Sequence, residues 1–187
     1  MATGTHGGLA MKVCCAMIGG KSGSEAAYSL LEYAVGREYG LSALPEIKRG
    51  RYGKPYFPGW PDIHFSLSHA RTHVLCAVSS CPVGCDIESP RIISRRTVEY
   101  FGSAAELADF EPLELWVLKE SYVKLLGLTV ASVRKLRFSR DGGKISVAGG
   151  ECAVPPASFR QYRIGACSAA ACSFEADPPG QAELVPV

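Results

Sequence analysis

This sequence breaks up into short apolar runs, most of them closed by glycine or proline. Such runs are typical of short β-strands. Two longer segments, residues 25–39 and 113–126, instead repeat their apolar residues at spacings of three and four, and Gly40 and Gly127 follow them. That pattern predicts two helices with glycine stop signals. Because strands and helices are interspersed and several strands are adjacent, the sequence favours an α+β fold over a parallel, doubly wound sheet.

The remaining elements follow from the same patterns. Two short helices are predicted at residues 95–100 and 104–110, and residues 45–61, rich in glycine and proline, are predicted to form a loop. Ser24 is the candidate cap of the first long helix, and the tail from Asp177 is predicted to fray. The predicted strands are residues 12–18, 63–68, 74–79, 83–88, 136–139, 144–147, 162–166 and 169–174.

Composition limits the class of protein. The chain has 187 residues, 47% of them hydrophobic, which suits a buried core in one domain or two small fused halves and excludes a disordered chain. Its 20 basic and 18 acidic residues are too balanced for a protein that binds nucleic acid with its whole surface. No apolar run approaches the ~18 residues of a membrane span, and residues 1–8 lack the features of a signal peptide. We therefore expect a soluble, cytoplasmic protein.

Eight cysteines fit that expectation. Most of them lie inside apolar runs, and the sequence contains neither a Cys-x2-Cys pair nor a supporting histidine pair. The pattern favours reduced cysteines in the core over metal or redox roles.

The strand predicted at residues 83–88 presents two acids on one face. Residues two apart in a strand point to the same side, so Asp86 and Glu88 project together while Cys85 and Ile87 point inward. Two neighbouring carboxylates repel each other, and a hard cation such as Mg2+ relieves that repulsion while it leaves positions for phosphate oxygens. The alternative is a solvated strand edge without a ligand.

The helix predicted at residues 113–126 presents a third acid. Trp116, Glu120 and Lys124 recur every four residues and share one helical face. The alternative is an ordinary amphipathic helix with a surface ion pair between Glu120 and Lys124. The apolar side of the helix is formed by Leu115, Leu118, Tyr122 and Leu125.

Two further segments carry groups that suit phosphate. Ser68 and His69 end a strand, where a hydroxyl and an imidazole can bind phosphate or simply form a turn. No Gly-x-Ser-x-Gly motif supports a hydrolase triad. Residues 49–55 combine glycines with basic side chains, which can bind an anion or form a solvated loop. Taken together, the three carboxylates and these basic groups indicate a metal-assisted phosphate site.

The order of these motifs resembles that of the 4′-phosphopantetheinyl transferases of the Sfp type. The resemblance extends over residues 45–130 and rests on four segments in order, residues 53–55, 65–69, 84–88 and 116–124. These enzymes move the phosphopantetheine arm of coenzyme A onto a serine of a carrier protein and release 3′,5′-ADP. The resemblance therefore implies coenzyme A and an acyl or peptidyl carrier protein as partners, with Mg2+ as the cofactor.

The resemblance also implies roles for individual residues. Asp86, Glu88 and Glu120 would bind Mg2+. Glu120 would help to deprotonate the carrier serine, and Lys124 would stabilise the phosphates and protonate the leaving 3′,5′-ADP. Glu106 would have a supporting role. The residues implied in coenzyme A binding are Arg49, Gly53, Lys54, Ser68, His69, Lys119 and Lys124, with His69 at the 3′-phosphate.

For the fold, the resemblance implies a pseudo-dimer of two similar α/β halves, residues 1–80 and 81–187. Each half would be a small, mainly antiparallel sheet with one long helix, and coenzyme A would lie in the cleft between the halves of a monomer. Two alternatives stay open. One is a catalytically degenerate coenzyme A-binding module, and the other is a metal-dependent phosphohydrolase in which water replaces the serine.

Overall fold

The structure is a computed structural model that describes residues 10–149 and 153–186, whose strands form two main sheets. In chain order the elements are β1 (Lys12–Met17), α1 (Gly23–Tyr39), β2 (Lys48–Arg49), β3 (Pro55–Tyr56), β4 (His64–His69), β5 (His73–Ser79), β6 (Val83–Glu88), α2 (Arg95–Phe101), α3 (Ala104–Asp109), α4 (Pro112–Leu126), a 3-10 helix (Val130–Lys135), β7 (Leu136–Asp141), β8 (Lys144–Gly149), β9 (Ser158–Ile164), β10 (Cys167–Ser173) and β11 (Glu183–Leu184). The strand order is β11-β1-β5-β4 in the first sheet and β6-β10-β9 in the second. The β1–β11 pair is parallel and the other pairs of both sheets are antiparallel. The mixed α+β fold is therefore confirmed.

The elements stack in the order helix, sheet, sheet, helix. One apolar cluster joins α1 to the first sheet and includes Leu30 and Val78. A second joins α4 to the second sheet and includes Leu118. A third lies between the two sheets, where Leu75 meets Cys85. Because alternate residues of a strand point to opposite faces, both sheets are buried on both sides, and polar groups collect where the sheet edges meet.

The ends of the long helices are set by capping. The Ser22 side chain accepts a hydrogen bond from the backbone N–H of Glu25 at 3.2 Å, and the Glu25 carboxylate accepts one from the backbone N–H of Ser22 at 2.9 Å. The predicted cap at Ser24 is therefore wrong. Gly40 and Gly127 end α1 and α4 with φ of +69° and +64°, as predicted. No helix in the described part of the chain has both the length and the apolar character to cross a membrane.

The C-terminal segment departs from the prediction that it frays. β11 pairs with β1, and the buried Val185 donates a backbone hydrogen bond to the carbonyl oxygen of Cys15 at 2.8 Å. A second difference is that the strand predicted at residues 162–166 ends at Ile164, since Gly165 turns the chain with φ of +56°. The 3-10 helix after α4 was not predicted.

The seven cysteines within the described residues are all free, and six of them are buried. Burial raises the pKa of core thiols such as Cys76 and Cys172, so these thiols stay protonated. The predicted core position is confirmed for the six buried cysteines, and Cys81 is half-buried. Cys152 lies outside the described residues.

Gly84 lets α4 approach β6 very closely. A Cβ at this position would lie 2.0 Å from the carbonyl oxygen of Ser121 and 2.6 Å from the backbone nitrogen of Leu125. We expect Gly84→Ala to lower the free energy of unfolding by about 3 kcal/mol, because helix backbone atoms cannot move aside as a flexible side chain can. Gly59→Ala is the matched control, since the Cβ it adds meets no heavy atom of the described residues within 4 Å. Equal denaturant midpoints for the two variants would contradict this expectation.

Candidate active site

The edges of the two sheets meet where β4 passes β6. The Ser66 hydroxyl accepts a hydrogen bond from the backbone N–H of Cys85 at 3.0 Å, and the Cys85 thiol donates to the carbonyl oxygen of Ser66 at 3.1 Å. Side chains thus join the two strands in place of a backbone ladder. The junction brings the next polar residues, Ser68 of β4 and Asp86 of β6, into direct contact.

Asp86, Ser68 and Lys124 form the centre of the site. The Ser68 hydroxyl donates to Asp86 Oδ1 at 2.7 Å, and the Lys124 ammonium donates to the same oxygen at 2.7 Å and to Ser68 Oγ at 2.9 Å. Asp86 is 5% exposed, and its second oxygen, Oδ2, is buried with no hydrogen-bond partner among the described residues. Asp86 is therefore not part of a solvated strand edge, and it keeps an unused acceptor.

Glu120 reaches the same centre from α4. Its Oε1 atom is buried and has no hydrogen-bond partner within the described chain. Burial raises the pKa of Glu120 to about 7, and the negative charges of Asp86 and Glu88 add to the rise, while Lys124 opposes it. The alternative of a surface ion pair between Glu120 and Lys124 does not hold, because the Lys124 ammonium pairs with Asp86. Burial alone would lower the pKa of Lys124, but the charge and hydrogen bond of Asp86, together with contributions from Cys85 and Glu120, raise that pKa.

Glu88 is held on its outer side. The indole N–H of Trp116 donates to Glu88 Oε1 at 3.2 Å, and the Arg91 guanidinium donates to the same oxygen at 3.2 Å. Burial, followed by the charge of Asp86, raises the pKa of Glu88. Asp86 therefore lies close enough to Glu88 and Glu120 for its charge to raise the pKa of both.

The three acids suit a hard divalent cation, although they do not form a finished site. Across residues 10–149 and 153–186, no three His, Cys, Asp or Glu side chains are already grouped to hold a metal ion. Asp86 Oδ1 is turned towards Lys124, and Glu88 Oε1 is turned towards Trp116. A cation with oxygen ligands would bind the unused oxygens of Asp86 and Glu120, and its charge would relieve the repulsion among the acids.

His69 lies against the N-terminus of α1. A Cβ on Gly23 would be 2.6 Å from His69 Nδ1, so the imidazole packs directly on the glycine backbone. Lys21 precedes this helix, and its ammonium donates to Ser29 Oγ at 3.2 Å. The imidazole, the ammonium and the positive end of the helix dipole together suit an anionic ligand.

The basic segment at residues 49–55 forms the turn between β2 and β3. The Arg49 guanidinium donates to the carbonyl oxygen of Gly53 at 3.0 Å, and Gly53 has φ of +85°. The Lys54 ammonium donates to the carbonyl oxygens of Val83 at 3.0 Å and Leu125 at 3.1 Å, and burial lowers the pKa of Lys54 to about 8. Lys54 thus fastens the turn to β6 and α4, and one of its three hydrogens remains for a ligand.

A cavity of about 180 Å³ lies between this turn and the C-terminal end of α4. Gly53 and Lys54 line one wall, and Leu67 and Lys124 line another. The cavity therefore connects the basic turn with Lys124, whose ammonium bonds Asp86.

Lys119 is not part of this site. Its side chain is 0% exposed, and its ammonium bonds the carbonyl oxygens of Phe101 and Leu136 and the carboxylate of Glu106. These three acceptors use all three ammonium hydrogens, so the predicted phosphate contact of Lys119 is wrong. Glu106 is buried as well, and it also accepts a hydrogen bond from the backbone N–H of Phe138 at 2.9 Å.

Several contacts at the site were missed by sequence reasoning. Strand alternation predicts that Ser66 lies on the same face as Ser68. It does not predict the hydrogen bonds between Ser66 and Cys85. The packing of His69 on Gly23 and the bond from Arg91 to Glu88 have no signal in the motifs, because each depends on how separate elements are placed.

Comparison with known proteins confirms the resemblance over half of the chain. The chain is 36% identical over 110 residues to a 4′-phosphopantetheinyl transferase of Bacillus subtilis, spanning 52% of this chain and 49% of the relative. It is 34% identical over 109 residues to the 4′-phosphopantetheinyl transferase Sfp of Bacillus subtilis strain 168, with the same shares. For the 4′-phosphopantetheinyl transferase AcpT of Escherichia coli O157:H7 the identity is 38% over 100 residues, covering 46% of this chain and 51% of the relative.

The chain therefore spans about half the length of the curated relatives it matches. No family model matches it. Within the matched half, its similarity to 4′-phosphopantetheinyl transferases, the Sfp type included, is established.

Proposed function

We propose that the protein transfers the 4′-phosphopantetheine group of coenzyme A to a serine of an acyl or peptidyl carrier protein, in a Mg2+-dependent reaction that releases 3′,5′-ADP. The observation that carries the proposal is that two buried oxygens beside the Lys124 ammonium, Asp86 Oδ2 and Glu120 Oε1, have no hydrogen-bond partner among the described residues. Burying a polar atom without a hydrogen-bond partner costs free energy, and a bound ligand would supply the missing partner. The relatives are named 4′-phosphopantetheinyl transferases, which agrees with transfer of the phosphopantetheine group.

The chain's own residues supply the proton transfers. The serine oxygen forms a bond to the phosphorus that carries the pantetheine, and the bond from that phosphorus to 3′,5′-ADP breaks. Glu120, when ionised, would accept the serine proton. Lys124 is kept charged by Asp86, so it would donate to the phosphate oxygens and protonate the leaving 3′,5′-ADP.

The remaining predicted residues would bind and orient the substrate. Asp86, Glu88 and Glu120 would hold Mg2+, which when bound supplies positive charge to the diphosphate. Ser68 and His69 would hold the nucleotide phosphates, with His69 and the N-terminus of α1 at the 3′-phosphate.

The basic turn would hold the other side of the nucleotide. Gly53 and Lys54 would contact it from the cavity that Lys124 also lines, and Arg49 would contact it from the same turn. Arg49 already holds the turn closed through its bond to Gly53, so the turn needs little reorganisation to receive a ligand.

We also propose that the fold is a pseudo-dimer of halves 1–80 and 81–187 that acts as a monomer. The packing of α1 on the first sheet and of α4 on the second supports this proposal, since each half then has one sheet and one long helix. β11 crosses from one half to the other: it belongs to the second half by sequence, but it pairs with β1 of the first sheet.

One assay separates transfer from the two alternatives. An apo-carrier protein is incubated with the enzyme, coenzyme A and Mg2+, and its mass is measured, with the serine-to-alanine carrier as the control. The proposal predicts that the apo-carrier alone gains the phosphopantetheine mass. Release of 3′,5′-ADP without labelling would indicate a phosphohydrolase. Binding of coenzyme A without turnover would indicate a degenerate binding module, and either result would overturn the proposal.

Removal of divalent cations is expected to abolish labelling. Without a cation, the carboxylates of Asp86 and Glu120 would face a diphosphate of the same charge. We expect EDTA to slow labelling about a thousandfold, since a bound metal supplies several kcal/mol of charge stabilisation, and excess Mg2+ to restore it. Labelling that continues after exhaustive chelation would show that the metal assignment is wrong.

A further inference from the structure

Trp116 and Glu88 form a contact to which the proposed function assigns no role. The indole N–H of Trp116, a group that only donates, is bonded to Glu88 Oε1 at 3.2 Å. Trp116 lies one turn before Glu120 on α4, and its ring packs edge-on against Phe101 with 5.0 Å between the ring centroids. The donor is therefore fixed by packing on the same helix that carries Glu120.

Glu88 needs such an anchor more than Asp86 does. Its side chain is 27% exposed, and the neighbouring charge of Asp86 repels it, so an unrestrained carboxylate would turn towards solvent. Arg91 bonds the same oxygen, but its side chain is 52% exposed, and ion pairs of this kind contribute little. Because both bonds end on Oε1, the described residues leave the other carboxylate oxygen of Glu88 for a ligand.

We propose that Trp116 is a positioning residue: its indole N–H holds Oε1 of Glu88, so that the other carboxylate oxygen is the one that joins Asp86 and Glu120 on a divalent cation. The inference rests on the proposed function, since it concerns the same cation. Mutation of a group that hydrogen-bonds to a metal ligand typically lowers metal affinity by about 10–100-fold.

The test measures Mn2+ affinity by electron paramagnetic resonance of the free ion, in the presence of coenzyme A. Trp116→Phe keeps an aromatic ring against Phe101 and removes the N–H donor together with part of the indole ring system. We expect it to bind Mn2+ about tenfold more weakly than the wild type. Trp60→Phe is the matched control, because Trp60 is 45% exposed, and its Mn2+ affinity is expected to equal that of the wild type.

A double-mutant cycle shows whether Trp116 acts through Glu88. In the Glu88→Ala background, Trp116→Phe is expected to cause no further loss of Mn2+ affinity. An equal loss in both backgrounds would mean that Trp116 only supports α4, and an unchanged affinity in Trp116→Phe alone would mean that the contact has no role. Either result would overturn the inference.

A fluorescence measurement covers the case in which Trp116→Phe does not fold. The chain has two tryptophans, so Trp60→Phe leaves Trp116 as the single indole, and saturating Mg2+ is expected to shift its emission. An unchanged spectrum would contradict the inference. If the wild type binds no Mn2+, the proposed function is contradicted as well. If the wild type binds Mn2+ and labels the carrier, but the Mn2+ affinity of Trp116→Phe equals that of the wild type, only the positioning role is contradicted.

Discussion

Glu120→Gln is expected to abolish carrier labelling while the fold stays intact. Glu120 would hold the cation and accept the serine proton, and its amide replacement can do neither. Loss of a general base typically slows a reaction by about 10²–10⁴-fold, and we expect at least the middle of that range because two roles are lost together. The measurement is the labelling rate by mass spectrometry, together with a circular dichroism spectrum that matches the wild type.

Glu32→Gln is the matched control for this substitution. Glu32 is an exposed residue of α1, and the same change of carboxylate to amide there is expected to leave the labelling rate at the wild-type value. A Glu120→Gln variant that labels the carrier as fast as the control would remove Glu120 from the mechanism.

The pH dependence of stability gives a second view of Glu120. Folding raises the pKa of this carboxyl from 4.5 to about 7, so the folded state holds the proton more tightly than the unfolded state. The resulting stabilisation is fully present below 4.5 and is lost as the pH rises towards about 7. We expect thermal unfolding to show this loss in the absence of Mg2+, and Glu120→Gln to lack it. An identical pH profile in the two proteins would contradict the assignment.

Lys119→Met is expected to destabilise the fold by about 3–5 kcal/mol, because it leaves Glu106 as a buried charge without its partner. The two side chains are 0% and 1% exposed, and 2.8 Å separates Lys119 Nζ from Glu106 Oε1. Urea denaturation measures the loss. At a temperature where the variant is folded, the KM for coenzyme A is expected to equal that of the wild type, since the Lys119 ammonium has no hydrogen left for a phosphate.

Arg95→Met is the matched control for the buried pair. Arg95 and Glu99 form an exposed ion pair one turn apart on α2, and its loss is expected to change the free energy of unfolding by less than about 0.5 kcal/mol. If Lys119→Met is no more destabilising than Arg95→Met, or if it raises the KM for coenzyme A in the folded enzyme, the structural role assigned to Lys119 is wrong.

Features that depend on local spacing could be predicted from the sequence. The three- and four-residue spacing of apolar residues predicted α1 and α4, and Gly40 and Gly127 predicted the C-terminal ends of these helices. Strand alternation separated Asp86 from the inward-pointing Cys85 and Ile87, which are buried between the sheets. These features hold because a regular helix or strand fixes which neighbours share a face.

Features that depend on how separate elements pack could not be predicted in this way. Lys119 and Lys124 are both lysines on α4, yet one ammonium is enclosed by α2 and β7 and the other faces Asp86. Val185 becomes a core residue only because β1 offers an unpaired edge to the tail. The cap at Ser22 is a different case, because it depends on local spacing. Ser22 and Ser24 both suit a cap, and Glu25, three residues after Ser22, decides between them.

Anomalous diffraction from crystals grown with coenzyme A and Mn2+ would test the convergence of the three acids most directly. The proposed site predicts a strong anomalous peak with carboxylate oxygens of Asp86, Glu88 and Glu120 at roughly 2.1 Å, as expected for a small octahedral cation. A peak elsewhere, or three carboxylates that stay turned away from one another around bound coenzyme A, would contradict it.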